Sequence, residues 1–138
     1  IPELKGLLDF VSVGTNDLSQ FFFNLDRYSP ETAEQINYWH PSFVLLLEEI
    51  AKAAKEAGIS AGVCGESAAD PEFGIVLAGL GFDSLSVSVS SLSSVRSALT
   101  SASLKQAQSL ATLAVSAKSA AAAQVIVRSE LSRLGLES

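Results

Sequence analysis

Three short apolar runs, each followed by a longer stretch with helical spacing, constrain this chain more than anything else in it. Phe10, Val11 and Val13 end at Gly14, the polar trio Thr15, Asn16 and Asp17 follows at once, and Leu18, Phe21, Phe22 and Leu25 then recur at helical intervals. That order reads as a strand over Phe10 to Gly14, a tight turn allowed by Gly14, and a helix over Asp17 to Asn24. The second run is Ala61 to Cys64 and the third Leu85 to Val89. Strands separated by helices run parallel with right-handed crossovers, so the chain is α/β. In such folds polar residues at the carboxyl ends of strands carry the chemistry.

The remaining elements follow from periodicity and punctuation. Asp26 to Pro41 is a long polar connection and a candidate functional loop. A helix is expected from Pro41 or Ser42 to about Ala57, with Val44, Leu45, Leu47, Ile50 and Ala54 inward and Gly58 as its stop. Pro71 to Leu80 follows with proline in its first turn and Gly79 and Gly81 at its end. Three Ala- and Ser-rich helices close the chain near Leu92 to Leu99, Leu104 to Ala117 and Ala120 to Leu134. Phe21, Phe22 and Phe23 are assigned mostly to the core, and Ser84, Ser86, Ser88 and Ser90 to one polar face of the third strand.

Composition narrows the partners. The chain has 138 residues, is 48% hydrophobic and 17% charged, which suits one ordinary folded domain. Its net charge of −6 has no basic run to set against it, so nucleic acid and anionic membrane are excluded as partners. No apolar stretch reaches membrane-spanning length and no signal peptide is visible. Cys64 is the single cysteine, which rules out an intrachain disulfide and suits a reducing cytoplasmic setting. The first residue is not Met and lies close to a strand, as expected of a piece of a longer protein.

Two polar clusters fall at strand ends: Thr15-Asn16-Asp17 and Cys64-Gly65-Glu66. Thr15, Asn16 or Asp17 can cap the helix that starts there, and free backbone N–H groups at such a start suit an anion. Asp17 is a hard oxygen donor for a cation such as Mg2+. One cluster alone is as well explained by helix capping. Two on one rim point to a shared site for a magnesium-bound phosphate ester.

VSVGTNDLSQ at 11–20, Leu25-Asp26-Arg27, His40-Pro41-Ser42 and GVCGESAAD at 62–70 together resemble the C-terminal barrel of the phosphoenolpyruvate-utilising enzymes. The resemblance runs from about Leu8 to Leu99, and Glu66 and His40-Pro41-Ser42 place it nearest the phosphoenolpyruvate–protein phosphotransferases, with the synthases and pyruvate phosphate dikinases as the alternative branches. It implies the last three strands of a TIM-type (β/α)8 barrel, with residues 1–100 as three β/α units and 101–138 as terminal helices. It also implies that Asp17 binds Mg2+, Asn16 contacts the phosphoryl group, Arg27 grips phosphoenolpyruvate, and Cys64 protonates C3 of the enolpyruvate, with Thr15, Gly65 and Glu66 in support. Simple helix capping is the alternative for Glu66. A free thiol, with a pKa of about 8.5, is mostly protonated at neutral pH and suits proton donation.

The family places a second metal ligand, a glutamate, and two more arginines upstream of Phe10, so this stretch would hold part of a site and be inactive alone. Its phospho-accepting histidine lies in a separate domain with a signature absent here, so His40 is given no chemical role, and Tyr38 and Trp39 are read as packing at a loop or a subunit contact. The implied partners are phosphoenolpyruvate and pyruvate, a phosphocarrier protein reached through the missing N-terminal half, and a second copy in a homodimer. A dimerisation module without catalysis is the contrasting reading.

Overall fold

A computed structural model describes residues 1–25 and 36–136. After a 3-10 turn at Pro2–Leu4 come β1 (Phe10–Gly14), α1 (Thr15–Phe23), α2 (Pro41–Glu56), β2 (Ser60–Cys64), α3 (Glu66–Ala69), α4 (Pro71–Leu80), β3 (Ser84–Ser86), α5 (Val89–Ser101), α6 (Leu104–Ser116) and α7 (Ala120–Leu134). The described strands form one parallel sheet in the order β1-β2-β3. Phe10 pairs with Ser60, Gly14 with Cys64, and Cys64 in turn with Ser86. Each strand is followed by helix before the next begins, so the strands run parallel, and here each pairs with the strand that precedes it in the chain.

Side chains alternate across the sheet. Ala61 and Val63 are buried against the helices, while Ser12, Ser60, Ser84 and Ser86 are exposed on the opposite face. One face is therefore packed, and the other is open and mostly polar, with Phe10 exposed at its start. The centre of the packed side is α4, whose Phe73, Gly74, Ile75, Val76, Leu77 and Leu80 are all buried. A helix apolar on every side needs cover on every side. The sheet, α5 and α6 supply it. Gly79 allows the closest approach, since a Cβ there would lie 2.1 Å from the carbonyl oxygen of Ala107 on α6. The terminal helix α7 packs through the buried Ala123, Val127 and Leu131, and on its surface Arg128 pairs with Glu72 of α4 at 3.1 Å.

Several expectations need correction. The third strand ends at Ser86, not Val89, and α5 already begins at Val89. The alternation Leu85, Val87, Val89 mimics a longer strand, but Ser88 turns its hydroxyl to those of Ser90 and Ser91 and starts a helix, so Ser88 and Ser90 do not belong to the strand face. α1 begins at Thr15 rather than Asp17, with Gly14 at its N-cap and no side chain capping it. Gly14 itself has φ −83°, so the turn does not depend on glycine's left-handed range. Leu45 is 44% exposed, because the buried stripe of α2 runs through Phe43, Val44, Leu47, Ala51 and Ala54. Phe21 is 79% and Phe22 39% exposed: only one side of α1 meets the core, through Phe23 and the edge of Phe22 against Phe43.

Candidate functional site

The site is built where β1 and β2 end side by side. With Gly14 paired to Cys64, the first turn of α1 stands beside the loop that leaves β2. Thr15 and Asn16 do not cap α1. They reach across instead. Thr15 Oγ1 donates to the carbonyl oxygen of Cys64 at 3.0 Å and lies 2.6 Å from Ser67 Oγ. A hydroxyl has one proton, so with Thr15 donating to Cys64 the Ser67 hydroxyl donates to Thr15. Thr15 and Ser67 are 2% and 0% exposed, and this pairing leaves neither hydroxyl orphaned. Asn16 Oδ1 accepts from the backbone N–H of Glu66 at 2.9 Å.

Gly65 makes this joint possible. Its φ of +107° and ψ of −172° lie in a region essentially restricted to glycine. A Cβ there would stand 2.8 Å from both Asn16 Oδ1 and Thr15 Oγ1. The glycine is needed twice over: for its backbone angles, and for the space that lets the two loops touch.

Cys64 is half-buried at the lip of the polar sheet face. Its Sγ–H donates to the carbonyl oxygen of Val13 at 3.6 Å, and Ser12 Oγ donates to Sγ at 3.8 Å. The sulfur is thus engaged on both sides, as donor to one carbonyl and acceptor from one hydroxyl, which fixes its direction at the rim. The Glu66 N–H fixes the oxygen end of the Asn16 amide, and with it the orientation of the whole amide group. Asp17 is exposed in the first turn of α1, where the helix N-terminus favours negative charge.

The structure thus brings together Thr15, Asn16, Asp17, Cys64, Gly65 and Glu66 at one rim. The Glu66 side chain is exposed, and what Glu66 contributes to the joint is its backbone N–H. Arg27 lies outside the described residues. Among the described residues no three His, Cys, Asp or Glu side chains gather in a metal-binding group. That donor set fits Mg2+ in one manner: through Asp17 as a single carboxylate, with phosphate oxygens and water filling the other positions, as this ion commonly accepts.

His40 Nδ1 accepts from the backbone N–H of Ser42 and caps α2, with Pro41 in its first turn. Tyr38 and Trp39 pack edge-on against Phe73, with ring centroids 4.9 and 4.8 Å away. Both also donate to Asp70 Oδ2, at 3.0 and 3.2 Å. Burial and Asp70 together hold the Tyr38 hydroxyl far above the usual tyrosine range. Ser12, Ser67 and Asp70 were not singled out from sequence. Ser12 could have been found by period two, since it shares a strand face with Gly14. Asp70 before Pro71 is a recognisable cap signal, but its tie to residues 38 and 39 spans too much sequence to be read.

The chain is similar to known proteins over most of its length. Residues 1–104 match the family model of the phosphoenolpyruvate-utilising enzymes' phosphoenolpyruvate-binding domain. The chain is similar to a phosphoenolpyruvate-protein phosphotransferase of Streptomyces coelicolor, 42% identical over 125 residues, covering 91% of this chain and 22% of that protein. A protein of the phosphoenolpyruvate-dependent phosphotransferase system from Salmonella typhimurium is 34% identical over 136 residues, covering 99% of the chain and 18% of that protein. A probable phosphoenolpyruvate synthase of Pyrococcus horikoshii is 33% identical over 93 residues, covering 67% of the chain and 11% of that protein. The chain spans about a fifth of the length of its phosphotransferase relatives.

Proposed function

The chain belongs to the phosphoenolpyruvate-utilising enzymes, and from that premise we propose that it supplies the proton-donating side and part of the phosphate-binding side of a phosphoenolpyruvate–protein phosphotransferase site. In the whole protein the phosphoryl group of phosphoenolpyruvate passes to a histidine elsewhere in the same chain and from there to a phosphocarrier protein, starting sugar uptake. The P–O bond to the enol oxygen breaks, the histidine nitrogen gains phosphorus, and the enolate left behind takes the Cys64 proton on C3 to become pyruvate. Solvent then returns a proton to sulfur.

The observation that carries this reading is the joint between the two loops. Thr15, Asn16, Gly65 and Ser67 bind the first turn of α1 to the Cys64 loop, so anion-facing groups and the acid are held as one unit. Such pre-positioning is the main lever for phosphoryl transfer, which needs little covalent help from the protein. Asn16 Nδ2 donates to a phosphoryl oxygen, and the first N–H groups of α1 add to that cradle. Asp17 is the residue that would hold Mg2+, which when bound neutralises phosphoryl charge. Arg27 is assigned to the substrate's carboxylate or phosphate.

The phosphotransferase branch is preferred to the synthase branch on Glu66, where synthases usually have glutamine, and on the longer alignments with phosphotransferase relatives. The whole protein is assigned to the cytoplasm as a homodimer. No helix among the described residues is long and apolar enough to cross a membrane. In the full-length protein, Cys64→Ala is expected to abolish pyruvate formation while phosphoenolpyruvate binding, measured by calorimetry, stays within about twofold, because the thiol delivers a proton and anchors nothing. Pyruvate release at the wild-type rate would overturn the assignment.

A further inference from the structure

Asp70 does more than a helix cap requires. Its Oδ1 accepts from the backbone N–H groups of Glu72 and Phe73, at 3.0 and 3.2 Å, and that alone completes the N-cap of α4. Its Oδ2 is given to a different part of the chain: the Tyr38 hydroxyl at 3.0 Å and the Trp39 indole N–H at 3.2 Å. Four donors from two segments converge on one carboxylate. The indole is 2% exposed and the turn beneath it is fixed by Asn37, whose Oδ1 accepts from Trp39 N–H at 3.0 Å.

On its other side Asp70 ends α3, a single turn that starts two residues after Cys64. That turn carries Ser67, whose hydroxyl meets Thr15, and Thr15 in turn holds the Cys64 carbonyl. Contacts therefore run without a gap from Tyr38 and Trp39 through Asp70 and α3 to the thiol loop. We propose that Asp70 is a positioning residue for Cys64: by holding Tyr38 and Trp39 on one oxygen and capping α4 with the other, it fixes the one-turn helix that places the thiol. The inference deepens the proposed function, since it rests on Cys64 being the reacting thiol.

Trp39 and Cys64 are the chain's one tryptophan and one cysteine, so each end of the linkage has its own probe. Asp70→Asn separates the two tasks. The amide oxygen can still cap α4, but the amide nitrogen would face the indole N–H, donor against donor. In this variant helix content by circular dichroism is expected to stay unchanged, Trp39 emission to shift, and alkylation of Cys64 by iodoacetamide to accelerate about threefold or more as the loop loosens. Tyr38→Phe keeps the ring on Phe73 and removes one donor. It should give a smaller change of the same kind, and the double variant should add little to Asp70→Asn alone.

In the full-length protein, Asp70→Asn should lower kcat for pyruvate formation about tenfold with KM for phosphoenolpyruvate within about twofold, because a displaced acid weakens the chemical step. An unchanged alkylation rate beside a shifted Trp39 emission would overturn the inference, as would faster alkylation with an unchanged kcat. If Asp70→Asn fails to fold, Tyr38→Phe must show the same pair of changes, and its failure to do so counts equally against the proposal. Cys64→Ala separates the two levels of argument. Its loss of pyruvate formation alongside a silent Asp70→Asn rejects the positioning role alone, while its full activity rejects the reading of the thiol.

Discussion

Gly65 sets the geometry of the site at the scale of one residue. Gly65→Ala would force a β-carbon into a backbone conformation that costs about 1–3 kcal/mol by itself. It would also press on Asn16 Oδ1 and Thr15 Oγ1 at 2.8 Å. The variant is expected to unfold at lower urea and to alkylate faster at Cys64, and a midpoint equal to wild type would show that the joint is not strained as described. Cys64-Gly65-Glu66 could be picked out as a strand-end cluster, but the reason for its glycine could not, because the groups it makes room for are on the preceding β–α unit. Thr15 and Asn16 show the same limit. By type they are helix caps, and locally nothing distinguishes a cap from a side chain that hydrogen-bonds across to the next loop. Tyr38 offers a titration test. Its folded pKa is raised, by burial first and by Asp70 second. An unfolded tyrosine ionises near 10, so the stability tied to the Tyr38 proton is fully present below about pH 10 and is lost as pH rises toward the folded value. Urea midpoints at about pH 9 and about pH 11 should fall less in Tyr38→Phe than in wild type. Equal falls would place Tyr38 in water.

At the scale of elements, α4 is the piece on which the others depend. Gly79→Ala would drive a Cβ to within 2.1 Å of a backbone oxygen on α6, and a backbone cannot swing aside as a side chain can. Overpacking of this kind costs about 1–3 kcal/mol, partly offset by alanine's better helix propensity. A clear loss of stability by urea denaturation is expected, and a gain would mean that α4 and α6 are not in close contact at Gly79. The long amphipathic helices were readable because burial repeats with their own period: α7 was expected at Ala120 to Leu134 and spans those residues. Elements that depend on a few local hydrogen bonds were not. The turn from β3 into α5 is closed by a backbone bond from Ser91 N–H to the Ser88 carbonyl in a sequence that alternates like a strand, and α3 is a single turn with too few residues to show any period. The parallel sheet was legible for another reason. Helix-length connections require parallel strands, whereas the consecutive order β1-β2-β3 followed only from the resemblance to the last strands of a barrel, since doubly wound sheets order such strands differently.

At the scale of the whole molecule, what remains is an unsatisfied sheet. In the order β1-β2-β3, the outer strands β1 and β3 each have one neighbour among the described residues. The β1 edge is also apolar: Phe10 is 70% exposed on the strand and Leu7 76% exposed just before it. A row of backbone donors and acceptors beside exposed phenylalanine and leucine is a template for another strand. In the longer relatives, chain lying beyond the matched stretch could fill that place. In the isolated 138-residue chain a second copy is the nearest substitute, and a contact repeated between identical edges closes as a dimer or propagates into larger assemblies. Light scattering over a concentration series is expected to show mass rising above that of one chain. Phe10→Lys should push the distribution toward monomer without unfolding it, because Phe10 is outside the core and a charge on an edge strand opposes pairing. The same sample should release no pyruvate from phosphoenolpyruvate, since the resemblance places a second metal ligand and two further arginines of the site upstream of Phe10. A monomer whose mass is independent of concentration would mean that β1 is shielded by its own chain, and turnover by the isolated chain would mean that the site closes without any further strand.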